Sequence, residues 1–120
     1  ADIYLTTSDY QEGWGAVINE AMNSGCAVVA NKAMGAASYL IDHGRNGFLY
    51  HNGKKQELFE CVKKLLEDAR LRETMGRFAY QTILEEWNGN VAADRVYKLA
   101  EDFLAGRKPI VYKAGPLSKV

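Results

Sequence analysis

Hydrophobic and polar residues come in blocks along this chain, and the period changes from block to block. Residues 3–7 (Ile-Tyr-Leu-Thr-Thr) are a β-prone run, and the strand reads as already under way at Ala1. A polar stretch leads to Gly15, after which Val17, Ile18, Ala21 and Met22 recur with helical spacing until Gly25 stops them. Residues 26–30 (Cys-Ala-Val-Val-Ala) are apolar without alternation, as in a strand covered on both faces and hence parallel to its neighbours. A short helix is expected over 36–42, ending at Gly44. Asn46-Gly47 marks a turn, Phe48-Leu49-Tyr50 a third strand, and Asn52-Gly53 another turn.

The second half is helical. Leu58, Phe59, Cys61, Val62, Leu65 and Leu66 form one stripe within residues 56–68. Leu71, Met75, Phe78, Ala79, Ile83 and Trp87 form another, which places Trp87 in the core. Asn88 or Asn90 can cap a last helix with Ala92, Val96, Leu99, Ala100 and Phe103 facing inward, ended by Gly106 and Pro109. The expected fold is α/β: a partial Rossmann-like parallel sheet of about three strands with flanking helices and a helical C-terminal half. Doubly wound sheets usually have about six strands. The chain is therefore expected to be part of a domain, residues 1–106, followed by a basic, poorly ordered tail, 107–120.

Composition changes this picture little: 48 % hydrophobic and 25 % charged residues are ordinary for a globular protein. The net charge of zero conceals a gradient, because residues 1–53 hold five acids and two bases while residues 54–120 hold ten acids and thirteen bases. An acidic front is a poor footprint for nucleic acid. Arg107, Lys108, Lys113 and Lys119 in the tail keep it solvated or touch an anionic membrane. No run of apolar residues is long enough to span a bilayer. Cys26 and Cys61 lack metal or redox spacing and read as small hydrophobes in a reducing compartment.

The densest chemical signal is Glu12-Gly13-Trp14-Gly15-Ala16-Val17-Ile18-Asn19-Glu20, which follows a strand and opens a helix. In open α/β sheets ligands bind at the carboxyl ends of the strands, where this loop sits. Gly13 and Gly15 allow a sharp turn and close approach of backbone to ligand. The first helix amides are unpaired donors at the positive end of the helix dipole, a combination that suits phosphate. Glu20 lies ~7.5 Å beyond Gly15 along the axis, far enough to accept from two vicinal ribose hydroxyls rather than repel phosphate. Glu12, before the helix, could grip sugar hydroxyls. Spacing alone is equally met by a glycine-rich turn leading into an amphipathic helix with a surface carboxylate.

The wider context narrows this. Ala1-Asp2-Ile3-Tyr4-Leu5, Ser8, Glu12-Gly13-Trp14-Gly15, Asn19-Glu20-Ala21-Met22, Gly25 and Val28-Val29-Ala30 follow one another in order. Gly35, Ile41-Asp42, Gly44, Asn46-Gly47-Phe48-Leu49, Leu71-Arg72 and Met75-Gly76 continue the series. Over about residues 1–105 the chain resembles the C-terminal, donor-binding domain of retaining glycosyltransferases of the GT-B fold, family 4 type (glycosyl transferases group 1). The resemblance implies that Glu20 binds the nucleotide ribose and that Glu12 is the catalytic carboxylate near the donor sugar. It implies too that Gly13, Trp14, Gly15, Ala16 and Val17 approach sugar and diphosphate. It implies retention of configuration by front-face attack, with no metal and no other cofactor, in keeping with the lack of Asp-x-Asp.

Three departures stand out. The loop from Ser8 to Glu12 is one residue longer than usual, Met34 stands where glycine is usual, and the basic pair that neutralises the diphosphate lies upstream in the family. The whole protein is thus expected to be a hexosyltransferase-type enzyme of polysaccharide biosynthesis, cytoplasmic, at or near the inner face of the membrane. Its acceptor, a sugar or lipid-linked sugar, would sit on an absent N-terminal domain. The 120 residues alone are expected to be inactive and to pair as a homodimer through an unpaired strand, 3–7 or 26–30, or through exposed helix faces. The rivals are a non-catalytic nucleotide-sugar-binding module of the same fold and a two-carboxylate glycosidase. His43 and His51 read as surface residues, and of the aromatic residues Trp14 is the one favoured to stack on a ligand.

Overall fold

The structure is a computed structural model that describes residues 2–118. Three parallel strands, β1 (Ile3–Thr6), β2 (Ala27–Asn31) and β3 (Phe48–Tyr50), lie in the order β1-β2-β3. Helix α1 (Ala16–Asn23) connects the first two, and the single turn α2 (Ala37–Leu40) precedes the third. Then come α3 (Lys55–Glu67), α4 (Ala69–Glu85) and α5 (Gly89–Leu104). The expected α/β class, the three-stranded parallel sheet and the helical second half are all present.

Every residue of β2 is buried, and its side chains alternate between two cores. Val28 and Ala30 pack with Ile18, Met22, Leu40, Ala79 and Ile83; Ala27 and Val29 pack with Phe48, Leu65 and Met75. Coverage on both faces is the reason for the uninterrupted apolar run. Because β2 pairs on both sides, residues 26–30 are not an edge, contrary to one of the two expected dimer contacts; the edges are β1 and β3. On the β3 side, the amide of Leu49 donates to Nδ1 of His43 at 2.9 Å and that of His51 to Oε2 of Glu57 at 2.9 Å. Both histidines are exposed, as expected, yet His43 closes a strand edge and His51 pairs with Glu57.

Helix α2 is shorter than the expected 36–42. Asn46, buried among apolar neighbours, accepts from the amide of Asp42 and donates to the carbonyl of Leu40 and to Oγ1 of Thr82. These bonds take the backbone groups that would have continued the helix, and Ile41 turns extended. Helix α4 crosses the end of α1 closely: a Cβ at Gly76 would run into the carbonyl of Gly25.

Two expectations for the helices fail. Trp87 is not on α4, which ends at Glu85; it lies in the corner before α5, partly buried against the first core. Helix α5 does not turn Val96, Leu99, Ala100 and Phe103 inward: Phe103 is 81 % exposed, and Asp102 is the one buried residue of the helix. The apolar stripe is there, but no element among the described residues covers it. Asn88, not Asn90, caps the helix by accepting from the amide of Val91.

The segment expected to trail as a basic tail carries defined contacts as far as it is described. Arg107 pairs with Asp102 at 3.0 Å, and Arg95 donates to the carbonyls of Ala114 and Pro116, with its guanidinium 4.0 Å from the Tyr112 ring centre. Ala1 and Lys119 lie outside the described residues.

Candidate functional site

The loop between β1 and α1 lies at the carboxyl end of the sheet. An Asx turn begins it, with Asp9 accepting from the amides of Gln11 and Glu12. Gly15 is the N-cap of α1 in a left-handed conformation, φ 82° and ψ 58°, with no side-chain cap. The left-handed backbone demands glycine there, while the nearest atom a Cβ would meet, Cε of Met34 at 2.7 Å, is the far end of a flexible side chain.

The loop is clasped by the one after β2. The amide of Ala36 donates to the carbonyl of Trp14 at 2.7 Å, and Gly35 lies so close to Gly13 that a Cβ would strike its carbonyl. Met34 is buried beneath, its Sδ accepting from Oγ1 of Thr6 at 3.4 Å. It therefore props the loop from below rather than lining an open donor pocket.

These contacts leave the mouth of α1 open. The amide of Ile18 turns back to the carbonyl of Gly15, while those of Ala16 and Val17 have no partner among the described residues. No acidic side chain stands in the first turn. The N–H groups of Ala16 and Val17, on two exposed residues, and the positive end of the dipole are thus left unclaimed, a donor set for an anionic oxygen cluster. Glu12 precedes the mouth and Glu20 follows one turn beyond Ala16; both are exposed, and neither carboxylate has a hydrogen bond or ion pair among the described residues.

All seven residues expected at the site, Glu12, Gly13, Trp14, Gly15, Ala16, Val17 and Glu20, therefore belong to one loop-and-helix unit. The Trp14 side chain turns sideways. Its Nε1 donates to Oδ1 of Asn19 at 3.0 Å, and its ring, 42 % exposed, packs against Tyr39 and Trp87. Tyr39 and Trp87 are the neighbours of this loop that periodicity did not reveal, because their meeting with Trp14 depends on the tertiary course of α2 and of the corner after α4.

A cavity of about 600 Å³ lies elsewhere, between the edge of β3 and α3, lined by Lys32, His43, Leu49, His51, Glu57 and Cys61. None of the loop's residues lines it. Burial pushes the Cys61 thiol up, and the His51 amide and ring, both bonded to Glu57, hold that carboxyl below its ordinary range. Among the described residues, no three His, Cys, Asp or Glu side chains gather into a metal-binding set, and no helix is long and apolar enough to cross a membrane.

An open parallel α/β sheet that presents a glycine-opened helix N-terminus at its carboxyl end defines a class of ligand-binding domain. The particular family follows from the comparisons: the chain belongs to the glycosyl transferases group 1 family, whose model matches residues 1–82, and its fold is that of part of a GT-B protein. It is 29 % identical over 120 residues to a sulfoquinovosyl transferase of Arabidopsis thaliana, an alignment covering 98 % of this chain and 23 % of the relative. It is similar to Anabaena HepE crystallised with UDP, at 30 % identity and a TM-score of 0.64 over 88 % of this chain and 28 % of that one. The HepE complex with UDP-glucose gives 37 % identity and a TM-score of 0.60 over 70 % of this chain and 23 % of that one. The chain spans about a quarter of the length of the curated relatives it matches, between 18 % and 26 %.

Proposed function

We propose that this chain is the donor-binding portion of a retaining glycosyltransferase that moves a hexosyl-type sugar from a nucleotide-diphosphate-sugar to an acceptor hydroxyl. The observation that carries the reading is the open N-terminus of α1 flanked by two exposed carboxylates that have no partner among the described residues. The amides of Gly15, Ala16 and Val17 would hold the diphosphate, Glu20 the ribose hydroxyls and Glu12 the donor sugar. The UDP and UDP-glucose complexes of HepE support a nucleotide-sugar as the ligand class.

In the proposed reaction the acceptor oxygen bonds to the anomeric carbon on the face from which the diphosphate leaves. The anomeric C–O bond breaks, and the acceptor proton passes to the departing diphosphate oxygen. No side-chain nucleophile is needed; Glu12 orients the sugar and stabilises positive charge developing on it. The amides share the diphosphate charge with the basic pair expected upstream, so transfer should proceed without a metal and persist in the presence of a chelator. The acceptor is a sugar or lipid-linked sugar met outside these 120 residues, which alone bind donor weakly and transfer nothing. A second copy would pair along β1, since side chains close the edge of β3.

The test is titration of the full-length protein against a panel of nucleotide-sugars, with product analysis by NMR. One donor should bind, with the anomeric configuration retained. Glu20→Ala should weaken donor binding by about 10- to 100-fold, the loss of hydrogen bonds to a charged acceptor. Glu12→Gln should lower kcat by about 100-fold with the donor still bound. Unchanged donor affinity in Glu20→Ala contradicts the reading; binding without transfer to any acceptor favours a non-catalytic module of the same fold.

A further inference from the structure

We propose that Trp87 is a positioning residue for the donor loop, acting through Trp14; the proposal rests on the donor-site reading above. The carbonyl of Trp14 and the amide of Gly15 belong to one peptide plane. Fixing that carbonyl on the Ala36 amide, at 2.7 Å, therefore fixes the direction in which the Gly15 N–H points. The Trp14 side chain is the other handle on this plane. Its indole is held by Asn19 at one end and enclosed by two rings: Trp87 at 5.6 Å between centroids and 40°, and Tyr39 at 5.6 Å and 43°. Tyr39 and Trp87 meet edge to face at 6.2 Å and 75°, closing a triangle.

Trp87 is the anchored corner of that triangle. Its amide donates to the carbonyl of Thr82, and its ring rests on the core that contains Ile18, Ala79 and Ile83. Its Nε1 is buried and finds no acceptor among the described residues. A phenyl ring would avoid that orphaned donor. What the indole supplies in its place is contact area against Trp14. The chain has two tryptophans, and they are in contact. The corner between α4 and α5 thus braces the loop that presents the amides of Gly15, Ala16 and Val17, although it lies some seventy residues further along the chain.

The full-length protein, with UDP as the probe in calorimetry, tests this. Trp87→Ala should weaken UDP binding about tenfold, and Trp87→Phe, which keeps an aromatic face, by less than about threefold. The double variant Trp14→Ala/Trp87→Ala should bind no more weakly than Trp14→Ala alone, because both act through one contact. Should Trp87→Ala fail to fold by far-UV circular dichroism, Tyr39→Ala, which removes the other wall, should show the same direction of loss. Two readouts need no ligand: the near-UV couplet of the paired indoles should vanish in Trp87→Phe, and amide exchange at residues 13–16 should quicken in Trp87→Ala or Tyr39→Ala. Wild-type affinity in Trp87→Ala, losses that multiply in the double variant, or unchanged exchange at residues 13–16 overturns the proposal. If the unsubstituted protein binds no UDP, the donor-site reading fails, and amide exchange alone decides the bracing role.

Discussion

Helices α4 and α5 have the same kind of apolar spacing, and only one of them is buried. Met75 and Ala79 on α4 are fully enclosed, while Phe103 and Leu104 on α5 are 81 % and 85 % exposed. Helix α4 lies against the sheet because Gly76 lets its backbone reach the turn at Gly25. Helix α5 is capped by Asn88 and strapped near its end by Arg107 and by the residues that Arg95 holds, yet Val96, Leu99 and Phe103 on its apolar face stay exposed. Periodicity identifies which face of a helix is apolar; only the tertiary course decides whether anything covers it.

The sharpest way to break this comparison is Gly76→Val in the 120-residue chain. A side chain there collides with backbone that has nowhere to go, and the loss of more than about 3 kcal/mol should abolish the cooperative urea transition. Ala100→Val on α5 should leave the transition within about 0.5 kcal/mol. Next in size, Met75→Ala should cost about 2–5 kcal/mol, whereas Phe103→Ala, a larger truncation, should again stay within about 0.5 kcal/mol. Equal losses at 75 and 103 would mean that α5 is covered after all.

Asn88 joins the two regions. Its Oδ1 accepts from Val91 in α5 while its Nδ2 donates to the carbonyls of Ile83 and Leu84 in α4. Asn88→Ala should cost about 1 kcal/mol by urea titration. It should also speed amide exchange in the first turn of α5 ahead of that in α4. The smallest effect concerns Cys61. Because burial raises its thiol, less thiolate is present at pH 8 than in free cysteine, and its alkylation by iodoacetamide should be slower, with the gap narrowing as pH rises.

The legible parts of this molecule are those in which local spacing and tertiary burial agree. The uninterrupted run at Val28, Val29 and Ala30 announced a strand covered on both faces, and Gly13 and Gly15 between a strand and a helix announced the loop that stands at the sheet's carboxyl end. The length of α2 was not legible, because Asn46 takes its backbone groups from outside the helix. Trp87 kept the apolar spacing of α4 past the point where the helix stops, so its place in the corner beside Trp14 was hidden. Met34 and Gly35 acquired their roles only from the clasp between two loops that are distant in sequence.

The pairing of Glu20 with a ribose is the central claim. It is tested most directly by a double cycle on the full-length protein: UDP and 2′-deoxy-UDP, each titrated against the unsubstituted protein and Glu20→Ala. The account predicts that removing either the carboxylate or the hydroxyl weakens binding by about tenfold or more, and that removing both costs little beyond one alone. Independent, multiplying losses, or a Glu20→Ala variant that still discriminates UDP from its deoxy form, would contradict it.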